Sequence, residues 1–333
     1  MGYERTKVLN VHSHIMTGWR ERVRGDALTW LLEVPDPAVR HAVLVDLLDR
    51  DPSSEMAAKT REEMMTTGVV PTILEKQETL GCWGPPEDFY MRSKYKGTVW
   101  TFLLLAELGV RGEALDRAGD FVIQFSQRTD GGFTYLGGPS GGRKGHLPCL
   151  TGNMVYSLLR TGQGDKGGTK RGVDALVRHA LGQREDLHHR CPRCRSGKVK
   201  ALKALLEIPT VERTPEVVCA IEALADAVAD TCVDLGGPPH LSARPEWREL
   251  GFPHMWETDL VEVITVLAKA RRCDERMRPA VDLILSKGDE RGRWRSERSF
   301  NGRFIVPMER TGRESSWVTL KVLEMLKALE DAQ

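Results

Sequence analysis

The stretch KQETLGCWG, residues 76–84, sets Gln77, Gly81 and Trp83 at the spacing Gln-x3-Gly-x-aromatic. The spacing returns as Gln127, Gly131 and Phe133 in QRTDGGF, residues 127–133. Two partial copies follow. Gln183 keeps the glutamine but has Leu187 in the glycine's place, while GDERGRW, residues 288–294, keeps Gly292 and Trp294 and has Gly288 in the glutamine's place. The copies start at 77, 127, 183 and 288, so the last gap is close to two periods and the stretch DTCVDLGG reads as an eroded copy. Self-similarity at tens of residues marks a repeat architecture, in which each unit buries its apolar face against its neighbours.

Outward from these turns the chain reads as helices. Six apolar segments begin near residues 38, 98, 152, 198, 259 and 317, on the period of the turns, with helical rather than alternating spacing. Six more charged, amphipathic segments lie between them, near 27–33, 69–77, 114–127, 171–183, 214–229 and 276–287. Asp36-Pro37 and Thr214-Pro215 each place a capping side chain before a proline at the first helical position. Apolar helices buried on most sides, alternating with helices buried on one stripe, are what a closed double ring requires. The expectation is an all-α protein, an α/α toroid of six inner and six outer helices, with an open solenoid as the competing architecture. It forms a single domain over 1–333, with 1–67 a less repeat-like part of the same ring. In each turn the glycine supplies a backbone with positive φ, the aromatic packs under the next helix, and the glutamine amide bonds backbone groups.

Composition bounds the function. Lys plus Arg number 48 against 47 for Asp plus Glu, which leaves no electrostatic footprint for nucleic acid. No segment approaches the ~20 apolar residues needed to cross a bilayer, and the first residues hold no signal-like run, so a cytoplasmic chain is expected. Seven cysteines without a disulfide layout point to reduced thiols or metal ligands. His12 and His14 imitate the His-x-His of barrel hydrolases, but the alternating strands such a barrel needs are absent from the pattern.

The turn with its preceding helix, RAGDFVIQFSQRTDGGF, resembles the QW repeat of squalene-hopene cyclases and protein prenyltransferase β subunits, over most of the chain beyond residue 68. The resemblance implies an enzyme of the terpenoid cyclase and prenyltransferase type, acting on an isoprenoid or similar hydrophobic small molecule in a central apolar cavity. A non-catalytic toroid that binds a ligand or a protein is the alternative, because one fold hosts many functions.

Parallel inner helices would collect their N-termini at one mouth, so the segments preceding them are where chemistry is sought. Cys191 and Cys194, two residues apart, suit a tetrahedral zinc, with Cys149 or His254 as further ligands and His188 and His189 as alternates. The resemblance implies zinc held by an Asp, a Cys and a His at this end, although the Asp-x-Cys of prenyltransferases is not reproduced. Neither the Asp-x-Asp-Asp of the cyclases nor the Asp-Asp-x-x-Asp of ionising synthases occurs. Asp259 and Glu257 in WETDL are the substitute acids, through burial that raises a carboxyl pKa, and Tyr95 joins them as a catalytic candidate. Arg92, Lys94, Lys96, Arg303, Arg310 and Arg313 are candidates for a diphosphate or carboxylate. Trp100, Tyr156, Trp256 and Trp317 are aromatic faces for a cation, and Asn153 is a cavity-lining candidate. No nucleotide cofactor is expected, and a homo-oligomer is compatible with this reading.

Overall fold

The computed structural model describes residues 18–90, 94–135, 147–183, 194–232 and 245–333. In chain order the α-helices are α1 (Ala27–Glu33), α2 (Pro37–Ala42) continued by a π-helical turn over Val43–Leu47, α3 (Glu55–Thr66), α4 (Val69–Leu74), α5 (Thr98–Glu107), α6 (Glu113–Ser126) and α7 (Pro148–Arg160). They continue as α8 (Gly167–Ala180), α9 (Arg195–Leu206), α10 (Pro215–Cys232), α11 (Leu260–Lys269), α12 (Arg278–Ser286) and α13 (Ser316–Asp331). Among the described residues there is no strand, only isolated bridges such as Gln77 with Trp83 and Gln127 with Phe133.

The two helix characters sort into two layers. All of α5 is buried, as is α7 from Pro148 to Leu158, whereas α6 buries a single stripe of Leu115, Ala118, Phe121 and Val122 with their neighbours. α5, α7, α9, α11 and α13 pack one against the next, and α13 then packs on α2 with its π-helical turn. These six apolar segments form the inner ring. α1, α3 with α4, α6, α8, α10 and α12 lie outside it.

The turns are built as their sequence suggests. Gly81 and Gly131 have φ of 85° and 86°, the left-handed region where a side chain is strained. The Gln77 amide donates to Gly81 O at 3.1 Å and to Ala114 O of α6 at 2.7 Å, and the Gln127 amide donates to Gly131 O at 3.0 Å and to Gly168 O of α8 at 2.6 Å. Each glutamine thus ties its turn to the next outer helix. The backbone N–H of the aromatic residue donates to a threonine of the next inner helix: Trp83 to Thr98, Phe133 to Thr151 and Trp294 to Thr319, at 2.9–3.0 Å. The third copy, after Gln183, and the eroded one lie largely outside the described residues.

The fourth turn decides between ring and solenoid. A Cβ at Gly81 would strike Arg117 of α6 at 2.5 Å and one at Gly131 would strike Arg171 of α8 at 2.1 Å, so each turn lies against the following outer helix. At Gly292 the struck atom is Arg24 O, at 2.1 Å, just before α1. The last turn therefore packs on the first outer helix, with the Arg293 guanidinium 4.4 Å from the Trp30 ring centre. The ring is closed. Within it α7 and α9 approach closely because residue 152 is glycine, where a Cβ would lie 2.5 Å from the Lys200 backbone.

Candidate functional site

All six inner segments contribute side chains to one cavity of about 530 Å³. Its wall includes Asp46, Glu107, Tyr156, Arg160, Lys203, Glu262, Lys321 and Glu324, with Leu206, Lys269 and Ala332 towards the rim. Glu107, Arg160 and Leu206 end their helices, so the chamber lies at the C-terminal side of the inner ring. Phe252, His254 and Glu262 carry the wall down to the start of α11, so the central cavity expected from the sequence is present, but charged side chains share its wall with apolar ones such as Val45, Val261 and Val266. The charges come from otherwise apolar inner helices, several from α13 (Lys321, Glu324, Lys327) and one or two from each of the others.

Those charges are paired within the wall. Lys200, 2% exposed, donates to both oxygens of Glu262, 4% exposed, at 2.8 and 2.6 Å. Lys203 bonds Glu107 and reaches Glu262 at 3.1 Å. Arg160 of α7 bonds Asp46 at the end of α2, Lys321 bonds Glu324 at 3.0 Å, and Lys327 bonds Asp49 at 2.5 Å. Burial alone would raise the Glu107 carboxyl, but Lys203 and Lys321 outweigh it and bring its pKa to about 2. Asp46, similarly opposed by burial and held by Arg160, falls to about 2. Glu262 is held well below the carboxylate range against its burial by Lys200, Lys203 and His254. Tyr156 is pushed well above its ordinary value, first by burial and then by Glu107, so it stays a protonated donor. Lys203 Nζ lies 4.3 Å from the centre of its ring.

His254 connects the chamber wall to the start of α11. Its Nε2 is 2.8 Å from Asp259 Oδ2, off the hydrogen-bond direction, and its Nδ1 is 3.9 Å from Glu262 Oε1. Asp259 is 1% exposed, caps α11 by accepting the Glu262 N–H at 3.0 Å, and is not part of the chamber wall. Burial would raise its pKa as expected from sequence, but His254, Arg298 and the Glu262 N–H reverse the sign and lower it. That direction favours a fixed carboxylate over an acid. Glu257 is half-buried and accepts from Arg298 at 2.9 Å.

The N-terminal side holds an aromatic group instead. Tyr95 accepts at its hydroxyl from Trp256 Nε1 at 2.8 Å and contacts Trp100, Phe300 and Phe304, with ring centres 4.9–5.7 Å apart. Trp256 is 40% exposed. Arg303 is exposed beside Tyr95, whereas Lys96, Arg310 and Arg313 are exposed without joining the aromatic group. Trp317 is buried, donates to Asp36 at 3.3 Å and stacks on Phe252 at 4.5 Å. Asn153 is also buried, and its amide donates to Met255 O at 2.9 Å, fixing the segment before α11. Of the aromatic candidates, Tyr156 alone lines the chamber.

For zinc, Cys191 falls outside the described residues, as do Arg92, His188, His189 and the side chain of Lys94. Cys194 Sγ accepts the Gly197 N–H at 3.3 Å as the cap of α9, Cys149 is buried in α7, and His254 faces Asp259. Among the described residues no group of three His, Cys, Asp or Glu side chains is arranged to hold a metal ion. The described candidates by themselves therefore do not form a zinc centre. No helix among the described residues is long and apolar enough to cross a membrane.

No family model matches the chain, and no curated protein matches it. Similar solved structures include the type II terpene cyclase MstE from Scytonema without ligand, at 13% identity over 80% of this chain and 97% of that one, with a TM-score of 0.31. A variant of that enzyme in complex with geranylgeranyl dihydroxybenzoate scores 0.29 at 12% identity, over 80% and 96% of the two chains. A protein from Actinoplanes scores 0.27 at 14% identity, over 78% and 97%. At these scores the likeness adds nothing to the fold read from the helices themselves.

Proposed function

We propose that the protein binds a small polar molecule in the chamber of the ring and acts on it there, with Tyr156 donating a hydrogen bond and His254 exchanging a proton. The observation that carries this reading is the chamber itself, a cavity on the small-molecule scale into which all six inner segments send titratable side chains. The flanking carboxylates of Asp259 and Glu262 orient His254 at the wall. To test it, thermal-shift screening of polar metabolites would be run on the protein and on Thr265→Trp, which fills the chamber from α11 without changing its charge. Ligands that stabilise the first and not the second are expected. Equal shifts in both would place binding elsewhere and sink the proposal.

A second reading is favoured by the aromatic group of Tyr95, Trp100 and half-exposed Trp256 beside Arg303. It is an isoprenoid enzyme of the terpenoid cyclase or prenyltransferase type, its substrate lying on the N-terminal side with an anionic end at the arginine. Acid-initiated cyclisation would use Asp259, and zinc-assisted transfer would use Cys149, Cys191, Cys194 and His254. Turnover of prenyl diphosphates that survives both Asp259→Asn and Cys194→Ser would eliminate both routes.

A further inference from the structure

At the seam of the ring the last turn lacks a part that the first two turns have. In those two a glutamine amide fills the space beside the next outer helix. Its oxygen accepts from an arginine of that helix, Gln77 Oε1 from Arg117 at 3.0 Å and Gln127 Oε1 from Arg171 at 2.9 Å. Its NH2 donates to the turn carbonyl, Gly81 O at 3.1 Å and Gly131 O at 3.0 Å. At the seam Gly288 stands in the glutamine's place, yet the residue whose carbonyl meets the turn glycine is again an arginine, Arg24. A cavity of about 280 Å³ opens here in the outer layer, apart from the chamber, with Arg22, Val23, Arg24, Leu285, Gly288 and Gly292 in its wall. Among the described residues, the Arg24 side chain has no hydrogen bond or ion pair, and Gly292 O accepts no hydrogen bond. Residue 288 cannot fill the gap itself, because a Cβ there would lie 2.8 Å from the ring of buried Trp294.

We propose that this cavity is a binding site for a primary carboxamide, carried by a free small molecule or by a glutamine or asparagine side chain of a peptide. The amide oxygen accepts from Arg24 and the NH2 donates to Gly292 O, the two bonds that Gln77 and Gln127 make in their own turns. A carboxylate could satisfy the arginine, but it has no N–H for the carbonyl and would lie beside Asp282 and Asp289 of the wall. An ammonium or guanidinium could satisfy the carbonyl, but it would meet the like charges of Arg22 and Arg24. Arg22 already faces Asp282 and Glu330, which leaves Arg24 as the cation to be engaged. Val23 and Leu285 offer apolar contact to the ligand's carbon skeleton.

The experiment follows the methyl resonances of Val23 and Leu285 in the unaltered protein, with Val45 and Val261 of the chamber as references. The probes are propionamide, L-glutamine and the blocked peptide acetyl-Gly-Gln-Gly-N-methylamide, set against propionate and propylamine at one pH. Expected are saturable shifts of Val23 and Leu285 with propionamide, at concentrations that leave Val45 and Val261 unmoved and at which propionate and propylamine shift neither pair. Arg24→Met, at an exposed position, should keep the melting transition and bind propionamide about tenfold more weakly. A stronger response to the peptide than to L-glutamine would support the site with a protein side chain as the source, and the reverse would support it with a free amide. Equal shifts with propionate or propylamine, amide shifts confined to the chamber methyls, no shift with any amide, or undiminished binding in Arg24→Met would each overturn the proposal.

Discussion

Lys200 shows how far this fold departs from the rule that inner helices bury only apolar side chains. Its ammonium is sealed between α9 and α11 and satisfied by Glu262, and Gly152 lets α7 press against the same backbone. A buried pair of this kind contributes little net stability, yet removing one partner strands the other. Lys200→Met is therefore expected to destabilise the protein by about 3–5 kcal/mol in urea unfolding, and Lys200→Met with Glu262→Leu to recover most of the loss. Recovery would fail if Lys203, 3.1 Å from Glu262, depends on that carboxylate for its own position. Glu107 carries a pH signature. With its pKa lowered from 4.5 to about 2, its contribution is fully present above pH 4.5 and is lost as the pH falls towards 2. That contribution is on the order of 3 kcal/mol. Glu107→Gln should flatten this acid limb of the stability profile measured by denaturant titration.

At the scale of the element, the repeated turn is a small machine with separable parts. The glycine is the more demanding part, because both its positive φ and the carbonyl it touches exclude a Cβ. Gly131→Ala should cost roughly 2–4 kcal/mol, through left-handed strain and the 2.1 Å clash with Arg171 O. Gln127→Ala, which loses two amide bonds and its contact with Arg171 at 2.9 Å, should cost about 1–2 kcal/mol. Chevron or equilibrium unfolding of the two variants would order them. The turn was also the most legible part of the sequence. Its three residues lie within seven positions of the chain and their spacing is set by one local geometry, so Gln77, Gly81 and Trp83 are legible without any tertiary knowledge. The threonine partners Thr98, Thr151 and Thr319 could not be read in this way, because the loops separating them from Trp83, Phe133 and Trp294 differ in length. The chamber was hidden for a different reason. Its signal is a charged residue at an axis-facing position of an apolar helix, as with Lys203, Glu262 and Glu324, and within one helix such a residue looks like ordinary surface. Only ring closure, which no single helix encodes, turns these residues to face one another. The sequence shows Asp259 at a helix start but not its partners His254 and Arg298, which reverse the shift expected from burial alone.

For the whole molecule the decisive contact is the seam. An open solenoid would leave Gly292 facing solvent and tolerant of substitution, whereas here it meets Arg24 as Gly131 meets Arg171. Gly292→Ala is expected to lower the unfolding midpoint about as much as Gly131→Ala, with a single cooperative transition retained by circular dichroism and calorimetry. A change within about 0.5 kcal/mol would mean that the seam does not support the ring. The seam brings the two ends of the described chain together: the Trp19 N–H donates to Glu330 at 2.6 Å. The order in which the repeats are strung is then a matter of genetics more than of mechanics. A short linker across that junction, with new ends cut in a loop away from the chamber, would give a rearranged gene encoding the same ring, so duplication and rotation of whole repeats offer this architecture an evolutionary path.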